Sequence, residues 1–579
     1  MHASSPERST GRDWPRDLLI GGALYALALG VILLGIGSHP PFPYNWENYT
    51  LWQGFFFWSA PSLDTFDLTD GLMTDSGRSW LVVGPAWVAF ELTGQRLDAL
   101  RIATGAIAAL SSPLTWLLGR RIATDVFTMP HWNPVERAVL QRAGGWAALI
   151  AGALLPLLAS WLLYARTATL VGLSVAPALA TVLLLDQVRR LTARWWLWLL
   201  ALQGALLLGA WAYAPIRFLY PLALTAFAVE LLFNSRRWRA YLIAILVTLV
   251  TLPALLAAID QEPAWQPIEA IGRYYNARGE QVLALRENPD DFAFYLRDAD
   301  LENSSTGELE RQLLKQNARD LVRLLLDIDT RPALTDFWNQ RGELLPWFLV
   351  PLMLLGMAAS AIRLWWSPEA RLLHLLFWGF TLPMIATSKV HIGRLVFAMP
   401  FLCLFIGIGV AGIAWGLTHH HDLRRPHRPL LRVVAPLLGL AILAPAAVSV
   451  WNDYQTPIPV SREARLAGLL EQNRARYLET GGVVWVSGDR SQAEIEAISI
   501  AAVRIAAQDD YQFVNLALGD APDPADPRPV VYYGGVTDRL DDPATAPRLC
   551  ALPWLTPADR DPLAEVEPAC VSGDVTRVP

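Results

Sequence analysis

Trp80-Leu81-Val82-Val83-Gly84-Pro85-Ala86-Trp87-Val88-Ala89-Phe90-Glu91-Leu92 is apolar but too short to cross a bilayer, since a spanning helix needs roughly 20 such residues. It closes a longer stretch, Tyr44 to Gly94, that follows the first hydrophobic segment. That stretch opens with Tyr44-Asn45-Trp46-Glu47-Asn48-Tyr49 and continues through the aromatic run Trp52 to Trp58. It then carries Asp64, Asp67, Asp70, Asp75 and Arg78. Whether Trp80 to Leu92 crosses the membrane or lies along it sets the sidedness of everything downstream.

The composition makes the membrane setting plain. The chain has 579 residues, 53% of them hydrophobic and only 17% charged, with 25 Trp and a mean hydropathy of +0.31. A soluble protein carries about a quarter charged residues. The fold expected is an all-α polytopic membrane protein with about eleven spans, surface helices in the first outer loop, and a small α/β region at the C-terminus. The spans expected are Leu18–Gly37, Leu100–Leu118, Trp146–Leu163, Leu170–Leu185, Trp196–Trp211, Phe218–Phe233, Tyr241–Ala258, Leu345–Ile362, Leu372–Thr387, Leu395–Leu417 and Val433–Val450. The net charge of -6 is small, and no basic footprint points to nucleic acid.

Arginine placement decides the status of Trp80 to Leu92. Cytoplasmic loops hold the excess of Arg and Lys. With a cytoplasmic N-terminus and eleven spans, the inside segments hold Arg120-Arg121 to Arg142, Arg189-Arg190-Arg194, Arg236-Arg237-Arg239, Arg363 to Arg371, and His419 to Arg432. Counting Trp80 to Leu92 as a span would put Arg120-Arg121 outside. It is therefore expected to lie along the surface. The organisation that follows is a cytoplasmic segment 1–17, a transmembrane region 18–451 with a large outer loop at 260–344, and an extracytoplasmic region 452–579. In the last, Ser461–Glu479 and Ala493–Ala507 are expected helices, and Val483–Val486 and Val530–Tyr533 expected strands. Cys550 and Cys570 lie there too, and would be free to pair if they approach. Cys403, in an apolar segment, is expected core. Glu308, Arg311, Lys315, Arg319 and Arg323 recur at helical spacing, as a solvated face would.

The polar groups that could do chemistry fall on the outer side. They are Glu47 and Arg78 in the first loop, Arg166 capping the third span, Arg217 between the fifth and sixth, and His391 with Arg394 before the tenth. An arginine close to apolar sequence is costly and usually functional or paired. Its planar fork grips phosphate at two points. Each arginine alone could equally snorkel to lipid headgroups. Four together on the side from which positive charge is normally excluded favour an anionic ligand. Glu47, between Trp46 and Tyr49, is either a wet surface carboxylate or a general base with a raised pKa. The aspartates from Asp64 to Asp75 suit turns and caps. His419-His420-His421 reads as a basic cytoplasmic turn before it reads as a metal site.

On these residues the chain resembles a GT-C glycosyltransferase, and within that superfamily the branch of the dolichyl-phosphate-mannose–protein mannosyltransferases and the lipid A aminoarabinose transferase. Trp46-Glu47-Asn48-Tyr49 stands where that family has an acidic pair followed by Tyr. Arg78-Ser79-Trp80 through Leu92-Thr93-Gly94 resembles its second surface helix. Leu97 to Arg121 resembles the next span, with Arg101 near its start. Leu155-Pro156 to Arg166 resembles a segment ending in Ser-Arg, and Gly393-Arg394 to Pro400 a late Arg-Tyr…Pro motif. Two family acids are missing: Trp46 replaces the first of the pair, and no Asp follows Arg166 in Thr169-Leu170-Val171. The resemblance implies transfer of one sugar from a polyprenyl-phosphate carrier to a hydroxyl of a lipid, glycan or protein. Glu47 would be the base, and Arg78, Arg166, Arg217, His391 and Arg394 would hold the lipid phosphate. Trp46, Tyr49, Tyr274 and Tyr275 would stack on sugar or sit at the interface. It implies no metal and no other cofactor, membrane lipids as surroundings, and a multi-pass place in the inner or plasma membrane. A polysaccharide ligase or polymerase of the same superfamily, a transporter and a non-catalytic subunit of a membrane complex are the rival readings.

Overall fold

The computed structural model describes residues 14–36, isolated positions between 81 and 92, then 97–126, 134–192, 194–212, 214–234, 237–260, 306–328, 344–386, 390, 392–419, 428–455, 483–487, 511–515, 523 and 530–533. Helix α1 is Trp14–Leu33. It is followed by α2 (Leu97–Ala109), α3 (Ser111–Val126), α4 (Pro134–Leu154), α5 (Ala159–Arg166), α6 (Leu170–Arg189), α7 (Trp195–Ala212), α8 (Leu219–Phe233) and α9 (Trp238–Asp260). Then come α10 (Thr306–Leu326), α11 (Val350–Ala361), α12 (Pro368–Thr381), α13 (Ile392–Leu395), α14 (Met399–His419) and α15 (Arg428–Gln455). Each apolar segment expected to span contains helix. Among the described residues, six helices are long and apolar enough to cross a membrane, and a seventh crossing is available if the bent α4–α5 pair is one span. The protein is a multi-pass membrane protein.

Two expectations of the helices need correction. The span expected from Trp146 to Leu163 is broken: α4 and α5 meet at 61°. Pro156 lies in the 3-10 turn Leu155–Leu157, and Leu158 is extended at φ -92, ψ 116. A proline cannot donate the helical hydrogen bond and crowds the preceding turn, so the axis bends there. The span expected to end at Leu185 instead runs on to Arg189. Likewise Arg120 and Arg121 belong to α3, not to a loop.

Helix α14 is the axis of the bundle, with every residue from Met399 to Ala411 buried, Cys403 among them. In lipid there is no hydrophobic drive between helices, so close backbone approach has to supply the packing. Glycines provide it here. A Cβ on Gly407 would strike the Ala147 carbonyl of α4. One on Gly356 of α11 would strike the Phe405 carbonyl, and one on Gly409 the Leu352 carbonyl.

Crossing parity follows from one hydrogen bond. Arg101 Nη1, near the start of α2, donates to the Ile36 carbonyl just past α1 at 3.1 Å. The chain therefore leaves and re-enters the bundle at the same end between residues 36 and 101, so Trp80 to Leu92 cannot be a lone crossing. Its described positions are helical. Leu81 and Ala89 are buried, whereas Val88 and Leu92 are exposed.

Near the C-terminus, β1 (Val483–Ser487), β2 (Tyr511–Asn515) and β3 (Val530–Tyr533) form a sheet in the order β2-β1-β3. Both pairings are parallel, with Val483 opposite Tyr511 and Val484 opposite Val530. Strands stand at both places expected, and β2 is an addition. The expected helices Ser461–Glu479 and Ala493–Ala507, and Cys550 and Cys570, lie outside the described residues.

Candidate functional site

The last carbonyls of any helix lack intrahelical partners. Just past α1, Leu34 and Ile36 donate to the Gly30 and Leu33 carbonyls, and two arginines from distant elements meet the carbonyls of Leu34 and Ile36 themselves. Gly35 takes φ 66, closing the helix in the left-handed turn that favours glycine. Just there Arg166, the last residue of α5, donates through Nη2 to the Leu34 carbonyl, and Arg101 of α2 takes the Ile36 carbonyl. Both side chains are buried, Arg101 at 1% and Arg166 at 7% exposure. A cation at a helix C-terminus also meets the negative end of the macrodipole. Tight packing fixes the helices here: a Cβ on Gly105 of α2 would come within 2.7 Å of Ile32 of α1, and one on Gly172 of α6 would strike the Tyr164 carbonyl of α5. This end of the bundle is called the rim below.

Arg217 lies in the 3-10 turn Ala214–Phe218, half-buried. That turn packs against α7, α8 and α12. Arg394 lies in α13, which leads through the 3-10 turn Val396–Ala398 into α14. The Val396–Ala398 turn touches both α6 and α12. The elements carrying Arg166, Arg217 and Arg394 are thus linked through α6 and α12. Helix α10 docks at the same rim, where Asn317 Nδ2 donates to the Ile385 carbonyl at 3.1 Å. Its Glu308, Arg311, Lys315 and Arg319 are exposed, while Leu313, Asn317 and Leu321 are buried. Glu47, Arg78, Trp46, Tyr49, Tyr274, Tyr275 and His391 lie outside the described residues, as does the side chain of Arg394.

The opposite end holds a buried ion network that the sequence reading treated as basic loops. Arg189, the last residue of α6, reaches Asp186 at 2.8 Å, Glu369 of α12 at 3.1 Å and Glu230 of α8 at 3.2 Å. Arg190 joins Asp186 at 2.9 Å and Asp125 at 3.5 Å. Arg121 of α3 reaches Asp186 at 3.4 Å, and Arg371 of α12 reaches Glu230 at 3.6 Å. Tyr241 of α9 donates to the Arg189 carbonyl at 2.9 Å, and Arg120 pairs with Asp17 at the start of α1. The Asp186 and Arg189 side chains are 0% and 3% exposed. Four guanidinium groups (Arg121, Arg189, Arg190, Arg371) face four carboxylates (Asp125, Asp186, Glu230, Glu369), so the buried charge balances. The one signal in the sequence was the spacing of Asp186 with Arg189 and Arg190, at i,i+3 and i,i+4.

No protein-family model matches the chain, and no curated protein matches it in sequence. Among solved structures it is similar to the oligosaccharyltransferase of Archaeoglobus fulgidus in its apo form, at TM-score 0.47 and 12% identity over 85% of this chain and 65% of that one. It is similar to AglB from Archaeoglobus fulgidus in complex with an inhibitory peptide and a dolichol-phosphate, at TM-score 0.45 and 14% identity, again over 85% and 65%. It is also similar to ArnT from Cupriavidus metallidurans in the apo state, at TM-score 0.46 and 12% identity over 85% of this chain and 84% of that one. The chain thus spans 65% of the length of the archaeal enzyme, just under two thirds.

Proposed function

We propose that this protein is a membrane glycosyltransferase that moves one sugar from a polyprenyl-phosphate carrier to an acceptor hydroxyl at the extracytoplasmic face. The observation that supports it is the rim: two buried arginines from separate helices close on the end of α1, where the loop bearing Glu47 and Arg78 begins. In this reading Glu47 takes the acceptor proton as the hydroxyl attacks the anomeric carbon with inversion. The carrier phosphate leaves with the electron pair of the broken bond. Arg78, Arg166, Arg217, His391 and Arg394 stabilise its growing charge, which needs donors already fixed in place. The rim is extracytoplasmic and the ion network cytoplasmic, with the N-terminus inside and residues 452–579 outside.

The test is transfer in vitro from a radiolabelled polyprenyl-phosphate sugar. Glu47→Gln should lower the rate by about 100- to 10,000-fold, the range for a lost general base. Equal transfer by the two proteins removes Glu47 from the mechanism. A chain in place of a single added sugar would assign a polymerase instead. Reporter fusions at residues 95 and 123 check sidedness; the first should report outside and the second inside.

A further inference from the structure

In an unbroken helix the carbonyl of residue 152 would accept from the N–H of residue 156. Residue 156 is a proline and has no N–H to give. The hydroxyl of Ser112, on α3, donates to the Gly152 carbonyl instead, at 2.7 Å. It also lies 3.4 Å from the Leu24 carbonyl of α1. Both partners belong to other helices, so this serine does not cap its own. Ser112 is 0% exposed, and no water can take its place. The backbones meet closely here: a Cβ on Gly152 would come within 2.9 Å of the Trp116 Cβ and 3.1 Å of the Ser112 carbonyl.

The bend beside this bond sets where Arg166 lies. Helix α5 starts beyond the break and ends with Arg166. Its 8 residues rise about 12 Å, so a turn of 61° moves the far end about 12 Å from where a straight span would carry it. That is farther than an arginine side chain reaches. Without the bend, Arg166 could not donate to the Leu34 carbonyl. Further along the bent segment, Ser160 Oγ donates to the Leu344 carbonyl at 2.8 Å, and Trp161 is fully buried. A buried acceptor left without a donor costs its full desolvation, and inside a membrane the backbone must be satisfied by the protein. With the Ser112 hydroxyl gone, the break has to rearrange to find the Gly152 carbonyl another donor, and Arg166 moves with it.

We propose that Ser112 is a positioning residue for Arg166. It gives the Gly152 carbonyl the hydrogen bond that Pro156 withholds, and so stabilises the bend that brings Arg166 to the end of α1. This role rests on the reading of Arg166 as a group that binds the carrier phosphate. Ser112 acts on transfer only through that arginine.

Two double-mutant cycles on the full chain test it. In the first, transfer from the radiolabelled polyprenyl-phosphate sugar is measured for Ser112→Ala, Arg166→Ala and the pair. Ser112→Ala should lower kcat about ten-fold, the scale of one buried acceptor left unsatisfied. In the Arg166→Ala background it should lower it no further. In the second, melting midpoints in mild detergent are compared for Ser112→Ala, Pro156→Ala and the pair. Ser112→Ala should lower the midpoint clearly in the parent and far less beside Pro156→Ala, where residue 156 regains an N–H for Gly152. Ser112→Cys, close in size but a weak donor, serves in both cycles if Ser112→Ala does not fold. Additive losses of transfer at Ser112 and Arg166 overturn the proposal, as do additive losses of stability at Ser112 and Pro156. Normal transfer by Arg166→Ala alone would instead sink the phosphate-binding reading of that arginine, and this role of Ser112 with it.

Discussion

The two ends of the bundle both bury arginine but hold it differently. At the network end Arg189 is clasped by three carboxylates from α6, α8 and α12. At the rim Arg101 and Arg166 reach backbone carbonyls at the end of α1. A guanidinium matched to carboxylates ties helices together through opposite charge. One that caps a helix ties them through peptide oxygens, at the negative end of the macrodipole.

The sharpest way to break this contrast is Arg189→Ala. It leaves Asp186, Glu230 and Glu369 short of their shared cation, and breaking a buried pair typically costs about 3–5 kcal/mol. Unfolding in mild detergent should show that loss, with no donor needed for the effect. If stability is unchanged, the network is not what ties α6, α8 and α12 together. Next is Arg166→Ala, which tests the rim. Transfer should fall by about 100-fold, as when one fixed anion-stabilising donor is removed, while stability falls less than for Arg189→Ala. Comparing initial rates with the melting midpoint separates the two. An equal loss of stability at both sites would make Arg166 a helix clamp and nothing more.

The smallest effect is expected midway between the ends. Gln203 of α7 donates to Thr248 at 3.0 Å and accepts from Thr251 at 2.8 Å, both on α9, and Thr251 meets Tyr220 of α8 at 3.1 Å. Hydrogen bonds between helices in lipid average about 0.6 kcal/mol. Gln203→Leu should lower stability by about that amount and leave transfer unaltered. A much larger loss would mean that polar groups in the interior, not those at the ends, set the packing of α7 to α9.

The helices were legible because apolar runs declare themselves, and a single proline at position 156 hid the break between α4 and α5. The strands Val483–Ser487 and Val530–Tyr533 were legible from the same kind of run. The ion network was not, because Arg189 meets Glu230 and Glu369 across 41 and 180 residues, and no local pattern records such a pairing. Arg189 and Arg190 were read as a loop because charge usually ends a span; here charge continues the helix, since carboxylates from its neighbours receive it. At the candidate site, the sequence picked out Arg166, and the geometry adds that its partner is the end of α1. Arg101 entered the sequence reading only as a position in a resemblance, and its burial against Ile36 makes it a structural neighbour of Arg166. For Glu47, Arg78 and His391 the reading rests on residue chemistry.

The hydrogen bond from Arg101 to Ile36 also joins two positions 65 residues apart in the chain. The entropy lost in bringing such distant positions together grows only with the logarithm of their separation. One contact of this kind therefore holds the end of α1 and the start of α2 as a single unit.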